Sequence, residues 1–178
     1  MLWQDGELAL REITEDDVDL MARWLTDPAV LGYYEGRDRP HNADLVREVF
    51  FNAHVGDETR CIILAAQAPI GYLQFYRVTG DEVGEYGYPL DAALYGLDLF
   101  IGEPDYWNRG IGTRLLTGIL PYLHEHQGAE RVIVDPQMWN SRAIRSYEKA
   151  GFRKVRALPQ HELHEGELRD AWLMEWHV

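Results

Sequence analysis

Two periodicities in the hydrophobic pattern predict a chain that mixes strands with helices. Residues 7–13 alternate apolar and polar side chains, as half-buried strands do, and the later apolar runs are short enough to be buried strands. The proline-containing stretch 67–69 separates two of these runs and predicts a tight hairpin. The predicted strands are, in chain order, 7–13, 61–66, 70–76, 95–101, 131–135, 152–158 and 168–176.

Helical periodicity predicts four helices between these strands. Thr14, followed three residues later by Asp17, is a weak capping box for the first helix. Pro121 lies inside the third helix and is expected to bend or shorten it. The predicted helices run from 14 to 27, from 42 or 43 to 51, from the glycines at 110–112 past 123, and from 140 or 141 to 151.

Three stretches are predicted as loops, and they complete the order of elements. They are the aromatic segment 31–36, the acidic segment 80–94, and the connection of the last two strands around 161–167. The resulting order is strand, two helices, three strands, helix, strand, helix and two strands. We therefore expect a mixed α/β fold.

Composition and charge narrow the possible functions. With 178 residues, of which 46 % are hydrophobic and 12 % aromatic, residues 1–178 are predicted to form a single domain with a full core. The formal charge of −13 argues against binding nucleic acid and favours a small cationic partner. No apolar run reaches the length of a membrane span, the N-terminal residues are unlike a signal peptide, and Cys61 is the single cysteine. We expect a cytoplasmic protein, a monomer or homodimer, with no membrane partner.

The stretch "DYWNRGIGTRLL" (105–116) carries the first chemical signal. Gly110 and Gly112 fall between a predicted strand and a predicted helix, with Arg109 before them and Thr113 after them. A helix N-terminus presents unpaired N–H groups and a positive dipole end, and glycine lets an anion approach the backbone. Taken alone, such a motif is more often a simple tight turn than a phosphate site, and it is neither a dinucleotide fingerprint nor a P-loop.

A second motif gives the first its context. The first motif combines "LDLFIG" with "NRGIGTRLL", and the second is "VDPQMWNSRAIRSYEKAGF". Together they resemble the two core motifs of the GNAT acyltransferase superfamily, and most of all those of its aminoglycoside 6′-N-acetyltransferases. The element order resembles that superfamily over essentially the whole chain. The resemblance implies a mostly antiparallel central sheet that splays between the fourth and fifth predicted strands, about four flanking helices, and acetyl-CoA as acyl donor. Trp107 departs from the pattern, since Gln or Arg often stands at that position.

The resemblance also implies which residues hold the donor. The backbone from Arg109 to Thr113 is expected to cradle the pyrophosphate. The strand that ends at Ile101 is expected to form hydrogen bonds with the pantetheine arm, and Asn140 is expected to bond the pantetheine amides. The residues expected at the donor are Leu99, Phe100, Ile101, Arg109, Gly110, Ile111, Gly112, Thr113, Asn140 and Tyr147. No metal is expected, because His161-x-x-His164 lacks a third ligand at an established spacing.

Acetyl transfer needs a neutral amine, whereas an alkyl amine with a pKa near 10.4 is roughly 99.9 % protonated at pH 7. Asp98 lies mid-strand between two leucines, and is either an outward-facing residue or a group that orients the ammonium and accepts its proton. Tyr147 lies two helical turns after Asn140 and either packs in the core or faces the same site. The resemblance implies catalytic roles for both, with Asp98 at the substrate amine and Tyr147 as the acid that protonates the departing thiolate.

Further residues are candidates for binding the acceptor. Asp135 ends the fifth predicted strand, where open α/β sheets place their sites, although Asp before proline is also common in turns. The resemblance implies that Asp135 binds a substrate amino group, and it gives Tyr33 and Tyr34 a counterpart among aromatic residues of the aminoglycoside enzymes. Those two tyrosines either stack on a sugar or pack within their loop. The acidic residues of 81–91 form either a rim for a cationic substrate or a solvated loop.

The sequence therefore predicts an acetyl-CoA-dependent N-acetyltransferase for a cationic amine, with the 6′-amine of an aminoglycoside as first candidate. Attack is expected to be direct, within a ternary complex, because Cys61 lies early in a strand and is poorly placed for an acyl-enzyme. One alternative is acylation of a protein N-terminus, a lysine or a siderophore amine. Another is a non-catalytic acyl-CoA-binding module, against which the presence of Asp98 and Tyr147 argues.

Overall fold

Strands and helices follow one another in the predicted order, with three short additions, β1, α2 and α4. The computed structural model describes residues 1–53 and 57–178. The strands are β1 (Trp3–Asp5), β2 (Leu8–Glu12), β3 (Thr59–Ala65), β4 (Ala68–Arg77), β5 (Leu94–Ile101), β6 (Arg131–Val134), β7 (Arg153–His164) and β8 (Glu167–His177). The helices are α1 (Val18–Trp24), α2 (Pro28–Leu31), α3 (Ala43–Arg47), α4 (Asp81–Glu85), α5 (Ile111–Gln127) and α6 (Ser141–Lys149).

The strands form an eight-stranded sheet in the order β1-β2-β3-β4-β5-β6-β8-β7. The pairs β1–β2, β2–β3 and β6–β8 are antiparallel, whereas β5 and β6 are parallel. The parallel register is short, running from Leu94↔Arg131 to Gly96↔Ile133, while β5 continues to Ile101. The predicted mixed α/β sheet, mostly antiparallel and opening between the fourth and fifth predicted strands (β5 and β6), is thereby confirmed.

The described chain divides into two compact units, and four strands, β4, β5, β7 and β8, contribute residues to both. Unit 1 comprises Met1–Gln74, Leu99–Arg109 and His164–Glu167. Unit 2 comprises Phe75–Asp98, Gly110–Leu163 and Leu168–Val178. Within residues 1–53 and 57–178, the helices are too short or too polar to cross a bilayer.

The core of unit 1 lies between α1, α3 and the strands β2 to β5. Trp24, Tyr72 and Phe100 are its large aromatic members, and none is more than 6 % exposed. The Phe100 ring is edge-on to Trp24, with 6.0 Å between centroids, and stacks on Tyr72 at 5.7 Å. These contacts fix the last residues of β5 from one side by burial of large apolar surfaces.

The entry to α1 confirms the predicted capping box. The carboxylate of Asp17 accepts a hydrogen bond from the amide of Thr14 at 2.9 Å and forms an ion pair with Arg11 at 2.6 Å. Burial opposes ionisation of Asp17, but the hydrogen bonds from Arg11 and Thr14 outweigh it and lower the pKa of the carboxyl below its ordinary value. The chain therefore turns from β2 into α1 around a charged, nearly buried group.

In unit 2, α5 continues through Pro121 to Gln127, so the expectation that Pro121 shortens the helix is wrong. A proline inside a helix costs about 3 kcal/mol. Fully burying one large apolar side chain contributes roughly 1.5–3 kcal/mol, so several such side chains on one face outweigh the proline. The buried face consists of residues that are at most 1 % exposed: Leu115, Leu116, Ile119, Leu120 and Leu123.

Two predicted loops contain regular structure. The acidic segment 80–94 contains α4, and Val83 is buried in the apolar core of unit 2. The connection around 161–167 is a two-residue turn, because β7 extends to His164 and β8 begins at Glu167. Glu165 and Gly166 both have positive φ, 51° and 79°, which matches the twist of a tight antiparallel hairpin. The polar run that suggests a loop is therefore an edge strand whose side chains face outward.

Candidate active site

The residues predicted for the site fall in both units. Unit 1 contains Tyr33, Tyr34, Leu99, Phe100, Ile101 and Arg109. Unit 2 contains Asp98, Gly110, Ile111, Gly112, Thr113, Asp135, Asn140 and Tyr147. Both predicted catalytic residues and the glycine turn therefore belong to unit 2.

In unit 1, the last residues of β5 lie very close to β4, and a glycine permits this approach. A Cβ on Gly71 of β4 would lie 2.3 Å from the carbonyl oxygen of Phe100 and 3.0 Å from the Cα of Ile101. Real Cβ atoms essentially never come nearer than 3.0 Å, so only glycine fits here without displacing backbone. Gly71 thus sets the position of a segment predicted to bind the pantetheine arm.

Trp107 secures the end of the same strand. Its Nε1–H donates to the carbonyl oxygen of Ile101 at 2.8 Å, which gives the departure from the family pattern a structural role. The indole is edge-on to Tyr33, with 5.7 Å between centroids, and Tyr34 packs against Phe100 at 4.7 Å. Tyr33 is 42 % exposed, whereas Tyr34 is half-buried. Both tyrosines thus lie on aromatic neighbours, and their stacking on a sugar stays a prediction.

In unit 2, the start of α5 has the backbone geometry that the glycine motif predicts. Gly110 precedes the helix in a left-handed conformation (φ 75°), and nothing lies within 4 Å of the place where its Cβ would be. The amide of Arg114 donates to the carbonyl of Gly110 at 3.0 Å, so the amides of residues 111–113 precede the helical hydrogen-bond ladder. Open amides at the positive end of a 17-residue helix suit a phosphate group.

The side chains near this turn already have structural partners. The hydroxyl of Thr113 lies 3.0 Å from that of Ser146, and a Cβ on Gly112 would lie 3.2 Å from the same oxygen. Gly112 therefore lets α5 approach α6. Asn140 caps α6, since its Oδ1 accepts a hydrogen bond from the amide of Ala143 at 3.2 Å. A role of Asn140 toward pantetheine stays a prediction.

Tyr147 is a buried phenol on α6. Its ring is edge-on to Phe152, with 5.4 Å between centroids, and within residues 1–53 and 57–178 its hydroxyl has no hydrogen-bond partner. Burial raises the pKa of Tyr147 well above its ordinary value, and the charges of Asp98 and Asp135 raise it further. At neutral pH the phenol is therefore a proton donor and not a base.

Within unit 2, Asp98 and Asp135 thus both lie close enough to Tyr147 to act on it electrostatically. The same two carboxylates also act on Tyr76, whose pKa is raised first by burial and then by Asp98 and Asp135. The ring of Tyr76 fits because Gly96 has no Cβ, which would lie 2.5 Å from the ring. We call Asp98, Asp135, Tyr76 and Tyr147 the carboxylate–tyrosine cluster. Its negative potential favours a cation.

Asp135 has two further neighbours that sequence reasoning missed. Nε2 of His161 lies 2.7 Å from its Oδ2, and the hydroxyl of Tyr86 donates to the same oxygen over a longer distance, 3.3 Å. An ionised carboxylate only accepts hydrogen bonds, so the imidazole carries its proton on Nε2. The hydrogen bond to Asp135 raises the pKa of His161, while burial and then Asp135 raise that of Tyr86.

The acidic segment 81–91 contributes to this region through Glu82. The charge of Glu82 is among the causes that raise the pKa of Tyr76 and Tyr86. Cys61 is buried in unit 1, and burial followed by the charge of Glu12 raises its pKa to about 12, so the thiol stays protonated at neutral pH. In the part of the chain that the structure describes, His, Cys, Asp and Glu side chains form no group of three that would hold a metal.

Comparison with known proteins gives consistent matches. The acetyltransferase (GNAT) domain family matches residues 14–159. An aminoglycoside N(6′)-acetyltransferase type 1 from Klebsiella pneumoniae is 31 % identical over 153 residues, which cover 84 % of this chain and 76 % of that protein.

Solved structures extend the similarity of fold to nearly the whole chain. A crystal structure of an aminoglycoside acetyltransferase in complex with coenzyme A and kanamycin has a TM-score of 0.75 at 24 % identity, covering 96 % of this chain and 94 % of that chain. A spermidine N-acetyltransferase from Vibrio cholerae, in complex with coenzyme A and spermine, has a TM-score of 0.78 at 19 % identity, covering 97 % and 96 %. At these identities the structures share the fold.

Proposed function

The chain belongs to the GNAT acetyltransferase family, and from this premise we propose that its acceptor is the 6′-amine of an aminoglycoside. As a family member it is an acetyl-CoA-dependent N-acetyltransferase. The observation that carries the choice of acceptor is the carboxylate–tyrosine cluster, in which two carboxylates act on the same two phenols. Such a region suits an acceptor with more than one ammonium group. The 31 % identical relative, named for 6′-acetylation of aminoglycosides, supports the same choice.

The donor is held through backbone groups in this proposal. In unit 2 the amides of 111–113 bind the pyrophosphate, supported by the left-handed Gly110 that leaves the backbone uncovered. In unit 1 the backbone of Leu99, Phe100 and Ile101 bonds the pantetheine arm. The support is the close packing of this segment on Gly71 and the bond from Trp107, both of which keep it in one place. Acetyl-CoA supplies the activated acetyl group.

Two side chains move protons during transfer. Asp98 orients the acceptor ammonium and takes its proton, directly or through water, so that the amine attacks the thioester within a ternary complex. Tyr147 protonates the departing thiolate; its phenol carries a proton at neutral pH, and the role is supported by the place of Tyr147 within electrostatic reach of Asp98 and Asp135. A backbone N–H of the Leu99–Ile101 segment meets the oxyanion. Asp135 binds another acceptor amine, and Tyr33 and Tyr34 stack on a sugar.

Free-thiol release from acetyl-CoA tests the proposal. The wild-type protein is assayed with kanamycin, spermidine, a lysine derivative and a peptide with a free N-terminus. We expect fast release with kanamycin, and mass spectrometry with NMR should place the acetyl group on the 6′-amine. Release with the peptide or lysine derivative alone would keep the enzyme class and overturn the acceptor. Binding of acetyl-CoA without release for any amine would overturn the proposed acceptor as well.

A further inference from the structure

We propose that His161 is a positioning residue for the acceptor. By binding Oδ2 of Asp135, His161 turns the other carboxylate oxygen, Oδ1, toward a second ammonium of a polycationic acceptor. The inference rests on the proposed function, in which Asp135 binds an acceptor amine. It gives a role to a histidine whose spacing in the sequence suggests no site.

The two carboxylate oxygens of Asp135 have different surroundings. His161 and Tyr86 both contact Oδ2, at 2.7 Å and 3.3 Å. Within residues 1–53 and 57–178, Oδ1 has no hydrogen-bond partner. The side chain is 36 % exposed, so a solute cation reaches the carboxylate. One oxygen is therefore held by the protein and the other is left to accept from a ligand.

His161 is the stronger of the two contacts that hold Oδ2. A distance of 2.7 Å is typical of a charge-assisted N–H···O bond, whereas 3.3 Å is long for a hydroxyl donor. The torsion that orients a carboxylate is broad and roughly two-fold, so the group turns easily unless it is bound. His161 lies on β7, which pairs with β8 in the sheet. A side chain from a paired strand therefore selects one orientation of the carboxylate.

The pKa of His161 is raised, as expected for an imidazole that is hydrogen-bonded to a carboxylate. The bond to Asp135 is the main cause that raises the pKa of His161, partial burial opposes it, and Asp135 and Glu162 add attraction while Arg156 reduces it. Asp135 in turn acts on Tyr147, where the reaction is proposed to occur. A second ammonium held by Asp135 is thus held near the phenol that belongs to the reacting end of the acceptor.

Matched acceptors separate positioning from a structural role. Kanamycin carries several amines, whereas methyl 6-amino-6-deoxyglucoside carries only the one that reacts. We expect His161→Ala to raise KM for kanamycin by about tenfold, the size expected when a charge-assisted hydrogen bond is lost. For kanamycin, kcat should change little, and for the monoamine KM should not change. His161→Gln, whose amide can still donate to Asp135, should recover most of the loss. His126→Ala, on an exposed helix end, serves as the control and should leave both acceptors unchanged.

A double-mutant cycle and direct binding complete the test. In an Asp135→Asn background, His161→Ala should cost nothing further. Calorimetric titration of kanamycin into the CoA-bound protein reads binding without turnover. Equal losses for both acceptors, or additive losses in the cycle, would overturn the inference while leaving the proposed function intact. Kanamycin that binds in a His161-dependent way but is not acetylated would support the inference and overturn the proposed function. A wild-type protein that neither binds nor acetylates kanamycin would overturn both.

Discussion

Substitution of Gly71 by alanine tests how the fold shapes the donor segment. The new Cβ would lie 2.3 Å from the carbonyl oxygen of Phe100, and real Cβ contacts stop near 3.0 Å, so β4 and the end of β5 must separate by about 0.7 Å. Backbone on both sides leaves no flexible side chain to absorb the displacement. The φ of Gly71 is accessible to alanine, so the contact alone is responsible.

Overpacking of this kind costs about 1–3 kcal/mol, and a misplacement approaching 1 Å lowers catalytic efficiency by up to about 100-fold. We expect Gly71→Ala to lower the midpoint of thermal unfolding, weaken binding of acetyl-CoA and reduce kcat/KM by about 10- to 100-fold. Differential scanning calorimetry, calorimetric titration and the thiol assay measure the three effects.

Gly84→Ala is the matched control. Its Cβ would meet only Leu90 Cδ2 at 3.7 Å, an ordinary contact, and in α4 alanine is favoured over glycine by roughly 0.5–1 kcal/mol. The control should be slightly more stable than wild type and fully active. If Gly71→Ala keeps the wild-type unfolding midpoint and affinity for acetyl-CoA, the close approach of β4 to β5 does not constrain the donor segment.

Three further substitutions test separate contacts. Asp98→Asn should lower kcat by about 100-fold with little change in affinity for acetyl-CoA, measured by the thiol assay and calorimetry. Trp107→Phe removes the hydrogen bond to Ile101 and should weaken acetyl-CoA binding about fivefold. Asp17→Asn breaks the Arg11 pair and should cost about 2–3 kcal/mol of unfolding free energy at pH 7. Since the folded-state pKa of Asp17 is lowered, its stabilisation is complete above about pH 4 and fades as pH falls, so wild type and variant should converge in acid by denaturant titration.

Local patterns in the sequence predict the elements well, because periodicity and capping act over a few residues. The alternation in 7–13 and the glycine turn before α5 both appear in the structure. The boundaries fail where tertiary packing outweighs a local signal, as at Pro121 inside α5. The polar run after residue 158 reads as a loop because an edge strand needs no buried face.

The site is predictable only in part, because some of its residues are brought together by tertiary packing and not by a local pattern in the sequence. Asp98, Asp135 and Tyr147 each follow a recognisable motif, and the structure places both carboxylates within electrostatic reach of Tyr147. Tyr76 and His161 have no such motif, since the strand pairing alone brings them to the carboxylates. Gly96 is the sequence signal for Tyr76, because a glycine inside a strand often marks the close approach of another group.

The activity of Tyr147→Phe distinguishes a general acid from a residue that only packs, because phenylalanine keeps the ring contact with Phe152 and removes only the hydroxyl. Burial and the nearby carboxylates raise the pKa of the phenol, so it remains protonated well above its ordinary value of about 10. We expect kcat of the phenylalanine variant to be about 100-fold lower than that of wild type, and the ratio to stay the same at every pH from about 6.5 to 9.5. Tyr122→Phe, which keeps the ring contact with His126, should match wild type. If the profiles of wild type and the Tyr147 variant converge near pH 9, the phenol ionises in that range. The carboxylates would then not hold its proton, and Tyr147 could not serve as the acid under alkaline conditions.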